Sequence, residues 1–395
     1  MSEKPLHVIV VGAGLAGLVI AHGLNKRNIS YSLYDRESTP RDRSWGITLS
    51  WALPLLEQLL PADLFSEIKV CQPDPTLDSK DAGKAGILIR DGSTGLPKAQ
   101  ATFPVIRRVN IQKTKKHLAQ GLDVQYGKKL LDISVEGDMV IAYFDDGSKE
   151  TGNVIIGADG GNSQVRKWLL GDAAAQEVLP YAFMNFAFSL PADKAKWADS
   201  VMNPNVDVAT HPKNMYLGLF LLDKPDINKP ETWIFYFLVT WNIETKEDEE
   251  NTPNRLERLR AHMDGWADPY KSIVEWLADD VVIKPDQLRI WQPTPWDNKE
   301  GKVTLAGDAA HSMTFHRGQG GNLAIKDAFE FVQKITAISK GEVSQSDALE
   351  EYDKGVVLRG EEVAISKAQA AAFHDYVNFD NSPFVKMGIK PAGST

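Results

Sequence analysis

A glycine-rich turn close to the start of the chain constrains its fold more than any other feature. The run Gly12–Gly17 lies between the β-branched segment His7–Val11 and the apolar segment Leu15–Lys26. These segments predict a short buried strand followed by a helix, and Ile29–Tyr34 predicts a second strand. A glycine-rich turn in this position is typical of the βαβ unit that binds a dinucleotide.

Each glycine of this turn has a physical role in such a unit. Gly12 permits the tight turn, Gly14 lets a pyrophosphate approach the backbone, and Gly17 lets the helix pack closely on the strand. The first helical turn, which contains Leu15 and Ala16, supplies unpaired N–H groups and a partial positive charge for the phosphates. We therefore expect these five residues to contact the cofactor.

An acidic residue ends the second predicted strand. Asp35 stands 18 positions after Gly17, near the distance expected for a carboxylate that binds the adenosine ribose. Arg36 follows it directly, and Arg41 and Arg43 lie a few residues further on. These arginines are candidates for contacts with the adenosine phosphates, although a solvated loop explains at least one of Arg41 and Arg43 equally well.

A second carboxylate–glycine pattern lies far along the chain. Gly307-Asp308 follows the buried segment Lys302–Leu305, and Gly318-Gln319-Gly320-Gly321-Asn322 opens a predicted helix. A simple nicotinamide dehydrogenase does not need this second site, whereas a long FAD molecule would use both sites. Asp308 can hold ribityl or pyrophosphate groups, and the dipole of the helix beyond Gly320 favours an anionic reduced flavin ring. The pattern therefore favours non-covalently bound FAD.

Three motifs, taken in order, resemble those of the single-component FAD-dependent aromatic hydroxylases, the p-hydroxybenzoate hydroxylase-like flavoprotein monooxygenases. They are Gly12–Gly17 with Asp35, Gly157-Ala158-Asp159-Gly160 with Ser163 and Arg166, and Gly307-Asp308 with the later glycines. Arg108 matches the arginine that in this family lies against the flavin and its phosphates. The resemblance thus adds Arg108, Asp159 and Gly160 to the predicted cofactor-binding residues.

This resemblance implies an α/β chain with a Rossmann-like FAD-binding domain, an inserted, mostly antiparallel β-sheet substrate domain and C-terminal helices. It also implies reduction by NAD(P)H as co-substrate, without a dedicated nicotinamide domain, and activation of O2 as a flavin C4a-hydroperoxide. The expected activity is hydroxylation or epoxidation of a lipophilic or phenolic small molecule in secondary metabolism.

The predicted elements divide the chain into three parts. We assign residues 1–75, 101–178 and 285–340 to a discontinuous FAD-binding domain, and residues 76–100 and 179–284 to the substrate-binding sheet. Residues 341–395 form a C-terminal helical segment, with one helix predicted over Asp347–Asp375 and a polar, frayed end from Asn378. Within the first domain, Asp123–Phe144 predicts a β-meander that closes at Asp146-Gly147.

Aromatic-rich, strand-like segments suggest a roof over the flavin. Tyr181–Leu190, Met215–Leu222 and Thr232–Trp241 could keep water away from the ring, as oxygen activation requires. Period-two alternation sends roughly half of their side chains away from the cavity, and simple core packing explains any one of them as well. The candidate pocket residues are Phe183, Met184, Phe186, Met215, Phe220, Phe235 and Phe237.

The loop after Asp308 departs from the family pattern. Family members usually carry proline there, whereas Met313–Arg317 has none. His316 is a candidate acid or base because the ordinary pKa of histidine lies close to working pH; the alternative is a loop histidine that bonds to backbone. Arg317 is a second candidate, which would change the charge of the pocket. His311, at the strand exit, is expected to be structural.

Composition excludes several other classes of protein. Acidic residues outnumber basic ones 53 to 44, for a net charge of −9, which argues against a nucleic-acid binder. No apolar run reaches the roughly 18 to 20 residues that span a bilayer, and the eight histidines show no metal-site spacing. A single cysteine, Cys71, fits a reducing compartment. We expect a cytoplasmic monomer or homodimer that acts on a small-molecule substrate and O2.

Two other functions remain open on the sequence alone. One is a flavin-dependent reductase or dehydrogenase that inserts no oxygen. The other is a non-catalytic carrier on the same fold, against which the retention of both cofactor carboxylates and all motif glycines argues.

Overall fold

The computed structural model of the chain describes residues 6–38, 44–77, 86–101, 105–204, 206–244 and 254–388. The strands, in chain order, are β1 (His7–Val11), β2 (Ser30–Asp35), β3 (Gly46–Leu49), β4 (Ile87–Asp91), β5 (Pro97–Ala101), β6 (Arg107–Asn110), β7 (Val124–Tyr126), β8 (Leu130–Glu136), β9 (Met139–Phe144), β10 (Lys149–Gly152), β11 (Val154–Gly157), β12 (Glu177–Phe188), β13 (Val206–His211), β14 (Met215–Asp223), β15 (Ile234–Asn242), β16 (Lys284–Ile290) and β17 (Val303–Leu305). The helices are α1 (Leu15–Asn25), α2 (Leu53–Leu59), α3 (Ala62–Ser66), α4 (Ile111–Leu118), α5 (Gln164–Leu170), α6 (Ala192–Val201), α7 (Arg255–His262), α8 (Tyr270–Glu275), α9 (Asp308–His311), α10 (Gly320–Ser339), α11 (Gln345–Arg359), α12 (Glu361–Phe373) and α13 (Pro383–Met387).

A parallel sheet brings the three sequence motifs to one edge. Its strand order is β17-β11-β1-β2-β7, so the turn after each of β1, β11 and β17 leaves at the same end of the sheet. Both faces of β1 are covered, and Ile9 and Val10 are fully buried, as expected for a parallel sheet. The α/β fold with a Rossmann-like domain is confirmed.

A separate three-stranded antiparallel sheet has the order β10-β9-β8. The predicted meander is partly wrong, because its first strand, β7, instead pairs in parallel with β2. The predicted hairpin turn does join β9 to β10, with Gly147 at φ +82°.

A seven-stranded sheet has the order β16-β12-β15-β14-β13-β4-β5. Its described pairs are antiparallel apart from β13 with β4, so the mostly antiparallel sheet is confirmed. β5, β13 and β16 were not predicted. β16 pairs with β12 through Ile290, so this sheet extends past the boundary that we placed at residue 284.

The two faces of this sheet are covered by different elements. One face packs on helices α6, α7 and α8, with Phe235, Phe237, Leu259 and Ile273 fully buried. The other face meets the C-terminal segment, where the Thr210 hydroxyl donates to the Phe373 carbonyl at 2.9 Å.

The C-terminal segment differs from its prediction in two ways. The single predicted helix is two helices, because the backbone turns at Gly360, where an added Cβ would lie 2.2 Å from Pro293. The segment after Asn378 is not frayed as far as Gly388, since Phe379 and Phe384 are buried against the sheet. Within the described ranges, no helix is long and apolar enough to cross a membrane.

Candidate functional site

The glycine turn after β1 leaves no space for side chains where it meets the second motif. Gly12 has φ +107°, and a Cβ there would lie 2.4 Å from the Ala158 carbonyl oxygen. A Cβ on Gly17 would lie 1.8 Å from the Gly12 carbonyl oxygen, whereas one on Gly14 would have only the Ala158 oxygen nearby, at 3.8 Å. Gly12 and Gly17 therefore fix the turn, and Gly14 leaves room for a ligand.

Asp35 lies at the end of β2, against this turn. Its Oδ2 accepts the Ala13 N–H at 2.7 Å, and its Oδ1 accepts the Glu37 N–H at 2.8 Å. The carboxylate thus braces the turn while remaining partly exposed. Arg36 is exposed and pairs with no described residue. Arg41 and Arg43 lie outside the described residues.

Asp159 follows β11 and presents a carboxylate oxygen without a partner. Its Oδ2 accepts the Gln164 N–H at 2.6 Å, at the start of α5, while its Oδ1 is buried with no hydrogen-bond partner among the described residues. Desolvation raises the pKa of Asp159, against the hydrogen bonds that it accepts. Gly160 has φ +79°, which lets the chain turn away after the carboxylate.

Asp308 begins α9 and faces the first turn of α10. A Cβ on Gly320 would lie 3.8 Å from Asp308 Oδ1, so this glycine borders the carboxylate directly. The Asp308 side chain is exposed, although desolvation by the surrounding protein raises its pKa, against the positive charges of His311 and Arg166. A carboxylate beside a helix N-terminus suits a ligand with hydroxyl and anionic groups.

Small residues bring the first and third motifs together. A Cβ on Gly307 would lie 3.2 Å from the Ala16 Cβ, and one on Gly321 would lie 3.6 Å from Leu15. Gly318 has a left-handed backbone, with φ +63°, and turns the chain into α10. The N-terminal turns of α1 and α10 are therefore neighbours.

A buried charge network lies behind Asp308. The Asp327 carboxylate, on α10, accepts from the Gly307 N–H at 2.8 Å, from His311 at 2.6 Å and from Arg359 at 2.7 Å. Burial lowers the pKa of His311, but the neighbouring Asp327 carboxylate outweighs this effect and raises the pKa above its ordinary value, which favours the charged imidazolium. Sequence reasoning missed Asp327 and Arg359, since neither belongs to a recognisable motif.

Arg166 links the second motif to the third. Its guanidinium donates to the Ala309 carbonyl at 3.0 Å and to the carbonyl of Gly161, and it lies over the Trp291 ring at 4.7 Å. Burial lowers its pKa to about 10. Its role in this structure is to hold two loops together.

Arg108 lies on β6, which pairs with β3. A Cβ on Gly46 would lie 2.5 Å from the guanidinium, so this glycine makes the space for it. The guanidinium lies 4.1 Å over the Phe220 ring, and no described carboxylate pairs with it. Burial lowers the pKa of Arg108 to about 10, but this value is still well above neutral pH, so the guanidinium stays charged there. The side chain is thus a buried positive charge available to an anionic group.

The two predicted catalytic residues, His316 and Arg317, lie in different surroundings, although both belong to the loop that lacks the family's proline. His316 is buried among aromatic rings, and burial lowers its pKa well below 6.5. Arg317 instead forms a buried ion pair with Glu362 on α12 and donates to the Gly388 carbonyl at 3.1 Å. Because this pairing is structural, we no longer place Arg317 among the catalytic candidates.

The side-chain amide of Asn322 is also hydrogen-bonded within the protein. Its amide accepts the Ser50 N–H at 2.9 Å and donates to the Thr48 carbonyl at 2.9 Å. The side chain therefore fixes β3 to the start of α10, and a contact between Asn322 and the cofactor stays a prediction.

Strand alternation divides the predicted pocket residues between the two faces of the seven-stranded sheet. Phe183 and Phe220 lie on the face toward Phe315 and Arg108. The others pack against the helices on the opposite face, which removes them from the candidate pocket: Met184, Phe186, Met215, Phe235 and Phe237. Tyr216, on the pocket face beside His316, was not predicted.

The assembled residues fit the FAD that the sequence predicts. The unpartnered Asp159 Oδ1 can accept a hydrogen bond from a hydroxyl. A Cβ at Gly14 or Gly320 would meet its nearest atom only at 3.8 Å, so the backbone at these glycines allows close approach by a pyrophosphate and a ring. Asp308 lies where a second set of hydroxyls is expected. In the described ranges, no group of three or more His, Cys, Asp and Glu side chains is arranged to hold a metal ion.

Comparison with known proteins gives concordant matches. The FAD binding domain family matches residues 111–364, and an NAD(P)-binding Rossmann-like domain matches residues 10–44. FAD-dependent monooxygenase phnB of Penicillium herquei is 32% identical over 99% of this chain and 97% of its own length. FAD-dependent monooxygenase cctM of Talaromyces islandicus is 30% identical over 98% of each chain. The solved structure of 2,6-dihydroxypyridine-3-hydroxylase from Arthrobacter nicotinovorans has a TM-score of 0.75, with 20% identity and 94% of each chain covered.

Proposed function

The chain belongs to the family of FAD-dependent monooxygenases, and from that premise we propose that it uses NAD(P)H and O2 to hydroxylate or epoxidise a lipophilic or phenolic small molecule. The observation that carries the proposal is the contact between the loop after Asp308 and the aromatic face of the seven-stranded sheet. The ring centres of Phe183 and Phe315 lie 5.4 Å apart, and those of Tyr216 and His316 lie 4.7 Å apart.

The residues that would hold FAD come from all three motifs. Gly14 and the first turn of α1 would take the pyrophosphate, with Asp35 at the ribose. Asp159 and Asp308 would bind its hydroxyls, and the first turn of α10 would lie at the ring. When bound, FAD supplies the transfer of reducing equivalents from NAD(P)H and the activation of O2; the form of activated oxygen named above stays a prediction.

The protein's own contribution is a dry, charged setting for that chemistry. Aromatic side chains from β12, β14 and α12 close around the loop at Phe315, which keeps water away from the reacting region. The positive charge of Arg108 would stabilise negative charge on the cofactor, because a buried cation without a carboxylate interacts strongly with an anion. Neutral His316 can offer a substrate one hydrogen-bond donor and one acceptor.

Labelling with 18O2 tests this proposal. The purified holoenzyme would be given NADH or NADPH with phenolic, indolic and polyketide-like compounds, and products would be analysed by mass spectrometry. We expect one 18O atom in a product whose formation is coupled to NAD(P)H oxidation. A reduced product without 18O would instead establish a reductase, and stimulated oxidation that yields only hydrogen peroxide would also contradict oxygen insertion.

A further inference from the structure

The N-terminal end of α10 carries no cap of the usual kind. The residue before it, Gln319, has a helical backbone, with φ −90° and ψ −21°, and no side chain in the described part of the chain caps the end. The first turn, which opens with Gly320 and Gly321, contains no acidic residue. A helix end of this kind leaves backbone N–H groups and a partial positive charge open to a ligand.

Two buried amide side chains border the glycines of this turn. Gln319 and Asn322 are each 1% exposed. The Gln319 Oε1 accepts from the indole Nε1 of Trp51 at 2.9 Å, and its Nε2 donates to the Arg317 carbonyl at 3.2 Å. Asn322 bonds to the backbone of the segment directly before Trp51. The chain that leaves β3 therefore holds α10 on both sides of Gly320-Gly321.

The two amides differ in how their bonds depend on the sequence. Asn322 bonds to a backbone N–H and a backbone carbonyl, which most residue types would provide. Gln319 bonds to a side chain, so its bond exists only because residue 51 is tryptophan. Trp51 is half-buried, so a smaller aromatic ring keeps much of its packing. The Trp51–Gln319 bond is thus the one that a single substitution can remove alone.

Loss of this bond would remove a donor from the buried Gln319 amide. Because loss of a donor from a buried acceptor is unfavourable, the side chain and the backbone at the start of α10 would shift. The N–H groups of Gly320 and Gly321 directly follow Gln319, so their direction would change with it. A Cβ on Gly321 would lie 3.5 Å from Ile47 and Leu49, which is an ordinary contact and leaves room for a small shift.

The charge of the flavin makes the direction of these N–H groups matter. On reduction to its anionic form the ring takes up two electrons and one proton, and so gains one negative charge. Helix N–H groups that point at the ring stabilise this form over the neutral oxidised form, which raises the midpoint potential. The effect is confined to the first turn of a helix, so it depends on how that turn is oriented.

We propose that Trp51 is a positioning residue of the flavin site: its indole N–H acts through Gln319 to orient the first-turn N–H groups of α10, and thereby raises the midpoint potential of bound FAD. The inference rests on the proposed position of the flavin ring at this helix end and not on oxygen insertion. No contact between Trp51 and the ring is required.

The two-electron midpoint potential of the holoenzyme tests this inference without turnover. Anaerobic reduction by xanthine and xanthine oxidase, with a reference dye, gives the potential of the wild type and of Trp51→Phe. We expect Trp51→Phe to weaken the preference for reduced over oxidised FAD about three- to tenfold, which lowers the potential by about 15 to 30 mV. Flavin content and the affinity for oxidised FAD should stay close to those of the wild type.

Three further variants separate this role from a structural one. Trp233→Phe removes an indole N–H bond at 3.0 Å to the Asp226 carbonyl, and should leave the potential unchanged. Gln319→Met removes the acceptor and should give the same shift as Trp51→Phe, so either variant carries the test if the other fails to fold. In the double variant the two shifts should not add, as a coupled pair requires.

The third variant, Gln319→Glu, tests the position of the ring. It keeps an acceptor for the indole but places a negative charge at the helix end, so it should lower the potential by itself. An unchanged potential in Trp51→Phe beside a lowered one in Gln319→Glu would overturn the role of Trp51 alone. Unchanged potentials in both would overturn the ring position and the inference with it. Additive shifts in the double variant would also contradict the inference. Because these measurements need no substrate, failure of oxygen insertion is seen separately, by 18O labelling.

Discussion

The His311 imidazole donates to Asp327 at 2.6 Å, and the same carboxylate oxygen accepts the Gly307 N–H at 2.8 Å. Both side chains of this pair are inaccessible to solvent. Asp327 belongs to α10 and Gly307 directly precedes Asp308. The pair therefore fixes the distance between the first turn of α10 and the Asp308 carboxylate, the two groups that would face the flavin from this side.

Asp327→Asn should destabilise the protein and weaken FAD binding. The amide cannot accept from Gly307, His311 and Arg359 together, and loss of one partner from a buried ion pair costs about 3–5 kcal/mol. Urea unfolding and the fraction of FAD retained on gel filtration measure the two effects. Glu330→Gln is the matched control, because Glu330 pairs with Arg359 at 2.5 Å without being bonded to the Gly307 turn. Equal stability in Asp327→Asn and the wild type would refute this role.

Asp308→Ala should yield a folded protein without flavin. The carboxylate borders Gly320 and is exposed, so its removal takes away a cofactor partner and breaks no described ion pair. The ratio of absorbance at 450 nm to that at 280 nm after purification, with Tm as the check on folding, measures the effect. Asp297→Ala, which removes an exposed carboxylate that pairs with Lys299, should stay fully yellow. A full flavin content in Asp308→Ala would mean that the second cofactor motif is misplaced.

Two glycine substitutions in the turn after β1 should have different effects, one on folding and the other on FAD binding. Gly17→Ala puts a Cβ 1.8 Å from a backbone oxygen and should prevent correct folding, seen as aggregation on gel filtration. Gly14→Ala meets only an ordinary contact at 3.8 Å, so the protein should fold but bind FAD at least about tenfold more weakly, since the methyl group would displace the pyrophosphate. Isothermal titration of the apoprotein with FAD measures this. Unchanged FAD affinity in Gly14→Ala would contradict the assigned pyrophosphate position.

Stability should fall as pH rises because of Asp353. Burial raises the pKa of Asp353 to about 7, against the hydrogen bonds from Thr304 and Asn298. A folded-state pKa above the unfolded value means that the folded protein binds this proton more tightly. The contribution of Asp353 is therefore complete below about pH 4 and is lost as pH rises to about 7.

Asp353→Asn should make the free energy of unfolding less dependent on pH between pH 5 and pH 7. In that range the titration of Asp353 changes this free energy by at most about 1.4 kcal/mol per pH unit. Denaturant unfolding at several pH values gives the slope. Glu351→Gln, an exposed change on the same helix, serves as control. Parallel pH profiles for Asp353→Asn and the wild type would show that this carboxyl does not titrate in that range.

The cofactor-binding part of the site was predictable because steric crowding of the backbone requires particular residues, above all glycine, at fixed positions in the sequence. A Cβ on Gly12 would collide with Ala158 of the second motif, and one on Gly17 would collide with Gly12 itself. Gly307 has φ +61° and would crowd Ala16. Glycine is therefore favoured at all three positions, and the pattern is visible without a structure. Asp35, Asp159 and Asp308 follow parallel strands whose ends meet at one sheet edge. Local chain geometry is enough to predict such convergence.

The rest of the site depends on contacts between residues that are distant in sequence, which the periodicity of the sequence does not reveal. Alternation predicted that half of the aromatic residues would face away from the pocket, but assigning Phe220 inward and Phe235 outward required the packing of α7 and α8. Asp327 and Arg359 lie in ordinary helical sequence, and their pairing across two helices leaves no pattern. Arg317 looked like a pocket charge because Glu362 was not recognisable as its partner.

The turn at Gly360 has a consequence for what covers the aromatic sheet. A Cβ there would collide with Pro293, and α12, which starts at the next residue, ends at Phe373, which is buried with Phe379 against Tyr216. Substitutions in this last part of the chain would therefore change the cover over β14 without altering any residue of the three cofactor motifs.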